Sequence, residues 1–177
     1  MVDLNKLAAE IHSAAVEKGF WDVDMPVHRH INKMRSELGE VTQADRAGIM
    51  FEIERDSAKP EGVIAELGDF VMMMLDWMEY TNEKAVWLIA SNNAAIERTR
   101  CLLSCANCVT LVDALYSAVE IIKKGSDADY NYFLGSLLFA VHGPAIWAES
   151  HGYDLWEVIR HKMDYNRSRP ALHGRLY

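Results

Sequence analysis

Two short stretches of this sequence repeat one arrangement of acids: Glu37-Leu38-Gly39-Glu40 and Glu66-Leu67-Gly68-Asp69. On a helix, carboxylates three residues apart lie about 60° apart on one face, one above the other, so each pair works as one claw. Like charges at this spacing repel. The second pair lies in a stretch that is apolar nearly all round, where an uncompensated Glu66 and Asp69 cost several kcal/mol or take up protons. A divalent cation removes that penalty. All-oxygen ligation with no His or Cys nearby favours Mg²⁺, with Mn²⁺ as a substitute, over Zn²⁺. The competing reading of Glu37 and Glu40 is an ordinary solvated helix face. Asp76, ten residues beyond Glu66 on the same face, either extends the acidic strip or caps its solvent end. The glycine inside each motif costs ~1 kcal/mol relative to Ala, which a close helix–helix approach at the claws would offset.

A second set carries the opposite charge. Lys162, Asn166 and Arg169 follow at i, i+4 and i+7, one helix face running into Pro170. Cations and an amide beside a metal claw suit a polyphosphate, because Mg²⁺ alone leaves phosphate oxygens uncompensated. A basic last turn favoured by the helix dipole is the bland alternative. His30 and Lys33 share the face of Glu37 and Glu40 and are candidate substrate contacts. Trp21 is either a stacking surface for a base or a packing anchor.

These residues need elements to hold them. The chain has 177 residues, half of them hydrophobic and a quarter charged, which fits one globular domain and excludes disorder. Its four prolines are far apart and the stretches between them have helical apolar spacing, so the class is all-α. The pattern predicts helices over 3–18, from Pro26 to Gly48 with Ile31, Met34, Leu38 and Val41 inward, and from Lys59-Pro60-Glu61-Gly62 to Tyr80, with 49–59 a loop. A long helix from the mid-90s to Lys124 is expected to carry Cys101, Cys105, Cys108, Val112, Leu115, Val119 and Ile122 on a heptad seam. An apolar helix through Tyr132 and Val141 follows, bent or restarted at Gly143-Pro144 and ending near Gly152. Asp154 with Glu157 starts the last helix, over 155–167.

The joint order Glu37-x-x-Glu40, Glu66-x-x-Asp69, Lys162, Asn166 and Arg169 resembles the MazG-like branch of the all-α nucleoside triphosphate pyrophosphohydrolases. Bacterial and phage members are also similar in the stretch over His12–Asp22, in Lys59-Pro60-Glu61-Gly62 and in His173-Gly174. The resemblance implies a MazG-like helical bundle over 1–177, with an inserted helical segment at about 82–150 that many relatives lack. It implies an Mg²⁺-dependent hydrolase converting a (d)NTP to (d)NMP and pyrophosphate, and so controlling a nucleotide pool. Glu37, Glu40, Glu66 and Asp69 would bind the metal, and Lys162, Asn166 and Arg169 would hold the phosphates and neutralise the leaving pyrophosphate. Glu37 is the preferred proton acceptor among the acids. A homodimer or homotetramer is expected, with the heptad seam as its surface; the insert is otherwise a degenerate second copy of the metal-binding helix pair. The tail after Arg169 lacks basic residues usual in relatives. The rival function is a non-catalytic nucleotide-sensing or interaction module that keeps the metal site.

Other classes fall away. The net charge of −8 has the wrong sign for gripping a nucleic-acid polymer. No apolar run approaches the ~20 residues of a membrane span, and Met1–Phe20 lacks the build of a signal peptide, so a cytoplasmic location is expected. Cys101-x-x-x-Cys105-x-x-Cys108 has the spacing of an iron–sulfur motif, but no strand pattern accompanies it, and the sulfurs read as seam residues. A ferritin-like di-metal bundle needs Glu-x-x-His, which is absent from the sequence.

Overall fold

Asp3, Asn107, Asp129 and Asp154 each accept a hydrogen bond from a backbone N–H in the first turn of the helix that follows, which fixes where four helices start. A computed structural model describes residues 2–21, 26–55, 58–81, 93–104 and 106–170. Asp22 at the end of the His12–Asp22 stretch, Cys105 and the His173-Gly174 tail lie outside them. The described helices are α1 (Leu4–Glu17), α2 (Val27–Ala47), α3 (Val63–Tyr80), α4 (Asn93–Leu103), α5 (Cys108–Lys124), α6 (Tyr130–Ser150) and α7 (Leu155–Ser168), with a 3₁₀ turn at Gly125–Asp127. The fold is all-α, as the spacing predicts.

Helix α3 is the axis. It buries residues on every side, among them Ile64, Leu67, Phe70, Met74 and Met78, because α1, α2, α6 and α7 all pack on it. Ile31, Met34, Leu38 and Val41 of α2 are fully buried, as their spacing requires. Helix α5 packs on α2, and α6 on both α3 and α5, so the segment expected as an insertion closes a four-helix arrangement with the α2–α3 pair. Tyr116 Oη donates to the Arg35 carbonyl at 3.2 Å, and Arg35 pairs with Glu120, bracing α2 from behind.

Three expectations are corrected. The single helix from the mid-90s to Lys124 is two helices: Asn107 accepts from Thr110 N–H at 2.9 Å and opens α5, while the Ala106 N–H closes α4 on Leu103. Cys101 is therefore exposed on α4, and the described seam begins at Cys108, with Leu111, Val112, Leu115, Val119 and Ile122 buried in this chain's own core. That seam is consumed within the chain and offers no surface to a second copy. The loop over 49–59 holds half of an antiparallel hairpin, β1 (Glu52–Ile53) with β2 (Pro60–Glu61), in register Glu52 to Glu61 and Ile53 to Pro60. Helix α6 runs unbroken through Pro144, while Tyr132 near its start is 71% exposed and not part of the apolar face. Among the described residues, no helix is long and apolar enough to cross a membrane.

Candidate metal and phosphate site

The register between α2 and α3 is set at the turn that joins them. Gly62 has φ +100°, and a Cβ there would lie 2.9 Å from both the Ile49 and the Met50 carbonyl oxygens. Those carbonyls accept from the N–H groups of Val63 and Ile64 at 3.0 Å, so the chain leaving α2 caps the start of α3. The residues of the two helices then meet in opposite order. Glu40 comes to Glu66, Glu37 to Asp69, Lys33 to Asp76, and His30 to Tyr80.

At one end stand the acids. One carboxylate oxygen from each of Glu37, Glu40 and Glu66 lies within 4.8 Å of the others. Octahedral Mg²⁺ with bonds of about 2.1 Å spaces its ligand oxygens ~3–4 Å apart, so small side-chain rotations close this set around one ion. The donors are all hard oxygens, which fits that cation. Burial, with Asp69, Glu40 and Glu66 nearby, pushes the Glu37 carboxyl up to about 8, against the opposing pull of Lys162. Burial likewise carries Glu66 up to about 7, although Lys162 pulls it down. Carboxylates with that much unrelieved charge are poised for a cation.

Asp69 belongs to the same cluster but is engaged differently. Lys162 of α7 donates to Asp69 Oδ2 and to the Ala65 carbonyl, the latter at 2.9 Å, and its ammonium lies 3.7 Å from Glu66 Oε2. Lys162 is 3% exposed and Glu66 6%, so this is a buried pair. A Cβ at Gly68 would make only ordinary contacts, with Ile159 at 3.5 Å and the Lys162 side chain at 3.8 Å, and one at Gly39 would meet nothing within 4 Å, so the close approach expected at the two motif glycines is not what requires either of them. Asn166 lies one turn beyond Lys162 on α7, but Arg169 is not on that helix face as expected: it is the extended residue that ends α7, and both are half-buried, with the Arg169 guanidinium 5.7 Å from the centre of the Tyr165 ring.

At the other end stands an aromatic group. Trp21 stacks on Tyr80 at 4.0 Å and on His30 at 4.5 Å, and its Nε1 donates to Asp76 at 3.1 Å. Asp76 also shares a 2.7 Å hydrogen bond with His12 Nδ1, so it anchors Trp21 and does not extend the acidic strip. His30 is buried, its Nε2 without a hydrogen-bond partner among the described residues, and burial followed by the charge of Lys33 lowers its pKa to about 4, leaving it neutral. Lys33 lies between the two ends, half-buried, 5.2 Å from the centre of the Phe20 ring.

The chain matches no known family model, no curated protein and no solved structure.

Sequence reasoning missed several residues of this site. His12 and Asp76 form one network across 64 residues, which no local spacing reveals. Lys18 donates to the Arg167 carbonyl at 3.0 Å and to that of Arg169, tying the end of α1 to the end of α7. Lys59 and Glu61 form an ion pair at the hairpin, and the charge of Glu61 reaches Glu66. Only the Lys59-Pro60-Glu61-Gly62 string drew attention to that turn.

Proposed function

We propose that this protein is a Mg²⁺-dependent nucleoside triphosphate pyrophosphohydrolase of the MazG-like type, releasing pyrophosphate and a nucleoside monophosphate. The observation that carries this reading is the convergence of Glu37, Glu40 and Glu66 within one ion's reach, with Asp69 and Lys162 beside them. His30 is seven residues from Glu37, or ~10 Å along the helix, so the acidic and aromatic ends stand about a nucleoside apart. A metal–phosphate group at the acids leaves a base at Tyr80 and Trp21, with Lys33 facing the chain between them.

Glu37, Glu40 and Glu66 would hold the ion, with Asp69 joining when Lys162 releases it. When bound, Mg²⁺ draws charge from phosphate oxygens and makes water more acidic. Glu37, whose carboxyl burial holds above that of Glu66 in the metal-free protein, is the acid we assign to accept a proton from an attacking water, through an oxygen not engaged with the ion. Lys162 balances the acids, and Asn166, with Arg169 at the end of α7, would hold the leaving group. The homo-oligomer remains part of the proposal, by a surface other than the α5 seam.

The test is incubation with each dNTP and Mg²⁺ and chromatographic resolution of products. Monophosphate with intact pyrophosphate is expected, while diphosphate with orthophosphate contradicts the mechanism. Glu66→Ala is expected to lose Mg²⁺ binding and turnover together. Nucleotide and metal binding without any product would instead support a non-catalytic sensor.

A further inference from the structure

The cation nearest the acids is already committed. Lys162 is buried, and its ammonium is directed at the Ala65 carbonyl, Asp69 and Glu66. A triphosphate carries more charge than Lys33 and Arg169 offset, so a further positive group that can reach it would add to its binding.

Lys59 has the required position. It precedes β2, a strand that packs against both α3 and α7, the helices that carry Glu66 and Asn166. Its charge is within reach of both Glu66 and Tyr165, in keeping with a hairpin that packs on both helices. The backbone there is constrained. Ala58 adopts φ +56°, a left-handed conformation that a non-glycine residue keeps only where its surroundings hold it. The Ala58 N–H donates to the Glu54 carbonyl at 2.8 Å, and the Glu54 N–H to the Lys59 carbonyl at 2.9 Å. The Lys59 ammonium pairs with Glu61, and both side chains are about one-third exposed or more. An ion pair so open to water is weak, and a triphosphate, with several negative charges, attracts an ammonium more strongly than a single solvated carboxylate does.

We propose that Lys59 is a triphosphate-binding residue, whose ammonium leaves Glu61 for a phosphate oxygen when substrate enters. This rests on the pyrophosphohydrolase reading and adds to it a contact outside the acid motifs and the last helix. Glu61 keeps the lysine in place beforehand and, freed by the exchange, turns to water.

The experiment is titration calorimetry with Mg²⁺ alone and with Mg²⁺-tripolyphosphate, a probe that needs no base, on wild type, Lys59→Met, Lys59→Arg and Glu61→Gln, beside steady-state kinetics with the dNTPs. Lys59→Met is expected to weaken tripolyphosphate binding and raise KM by about tenfold, with kcat and the affinity for Mg²⁺ alone within about twofold. Lys59→Arg is expected to retain most of the affinity, and Glu61→Gln to match or exceed wild type. Equal tripolyphosphate affinity in wild type and Lys59→Met overturns the assignment, as does a wild type that binds no tripolyphosphate. A wild type that binds the probe through Lys59 yet hydrolyses no dNTP sinks the enzymatic reading alone.

Discussion

Lys162 shows how one residue sets the electrostatics of the site. Its ammonium is the buried counter-charge to Asp69 and Glu66, and removing one partner of a buried pair leaves the other uncompensated. Lys162→Met is expected to destabilise the metal-free protein by about 3 kcal/mol, lowering Tm by roughly 6–12 °C in a chain of this size. Pairing it with Asp69→Asn should return part of that loss, because the amide needs no counter-charge. Thermal melts of the two single variants and the double variant in EDTA give the coupling, and simple additivity would show that the two residues do not act as a pair. Mg²⁺ should raise the Tm of Lys162→Met more than that of wild type, since the ion takes over part of the lost charge.

At the scale of elements, the turn between α2 and α3 decides whether the claws meet. Gly62→Ala adds a Cβ to left-handed backbone against two carbonyl oxygens that cap α3, and is expected to cost about 2 kcal/mol or more. Gly39→Ala is the opposite case. The added methyl meets nothing in the free protein, so it should stabilise α2 by ~0.5–1 kcal/mol in chemical denaturation. If the open space beside Gly39 receives substrate, the same variant raises KM. The starts of α1 and α7 were legible because one local side chain marks each, Asp3 and Asp154. The break between α4 and α5 was not, because heptad spacing runs straight through Cys101 and Cys108 while only the Asn107 cap interrupts it. The hairpin, two residues on each strand, is too short to show alternation. The acid pairs were legible from spacing, whereas the grip of Lys162 on Asp69 spans 93 residues and depends on how α7 docks.

Over the whole molecule, α5 and α6 complete a bundle with α2 and α3, so the acids rest on a support supplied by the same chain, and the charge they store becomes a property of its overall stability. Glu37 and Glu66 have an ordinary value of 4.5, and the fold raises them to about 8 and about 7. Below pH 4.5 both states carry these protons and the site costs nothing. Between pH 4.5 and 8 the folded protein binds more protons than the unfolded chain, so stability falls as pH rises, and above pH 8 the full repulsion is present. In EDTA the loss contributed by Glu66 alone is on the order of 3 kcal/mol, or roughly 6–12 °C in Tm. On the proposed function Mg²⁺ would bind only the folded, deprotonated cluster, so its stabilisation should grow across the same window and flatten the slope. Glu66→Gln removes one charge, and its metal-free form should be more stable than wild type at pH 8 while gaining little from Mg²⁺. A series of melts from pH 5 to 8.5, with EDTA and with Mg²⁺, measures both slopes. Parallel curves for the two conditions would mean that the ion does not bind at the carboxylates whose protons the fold holds.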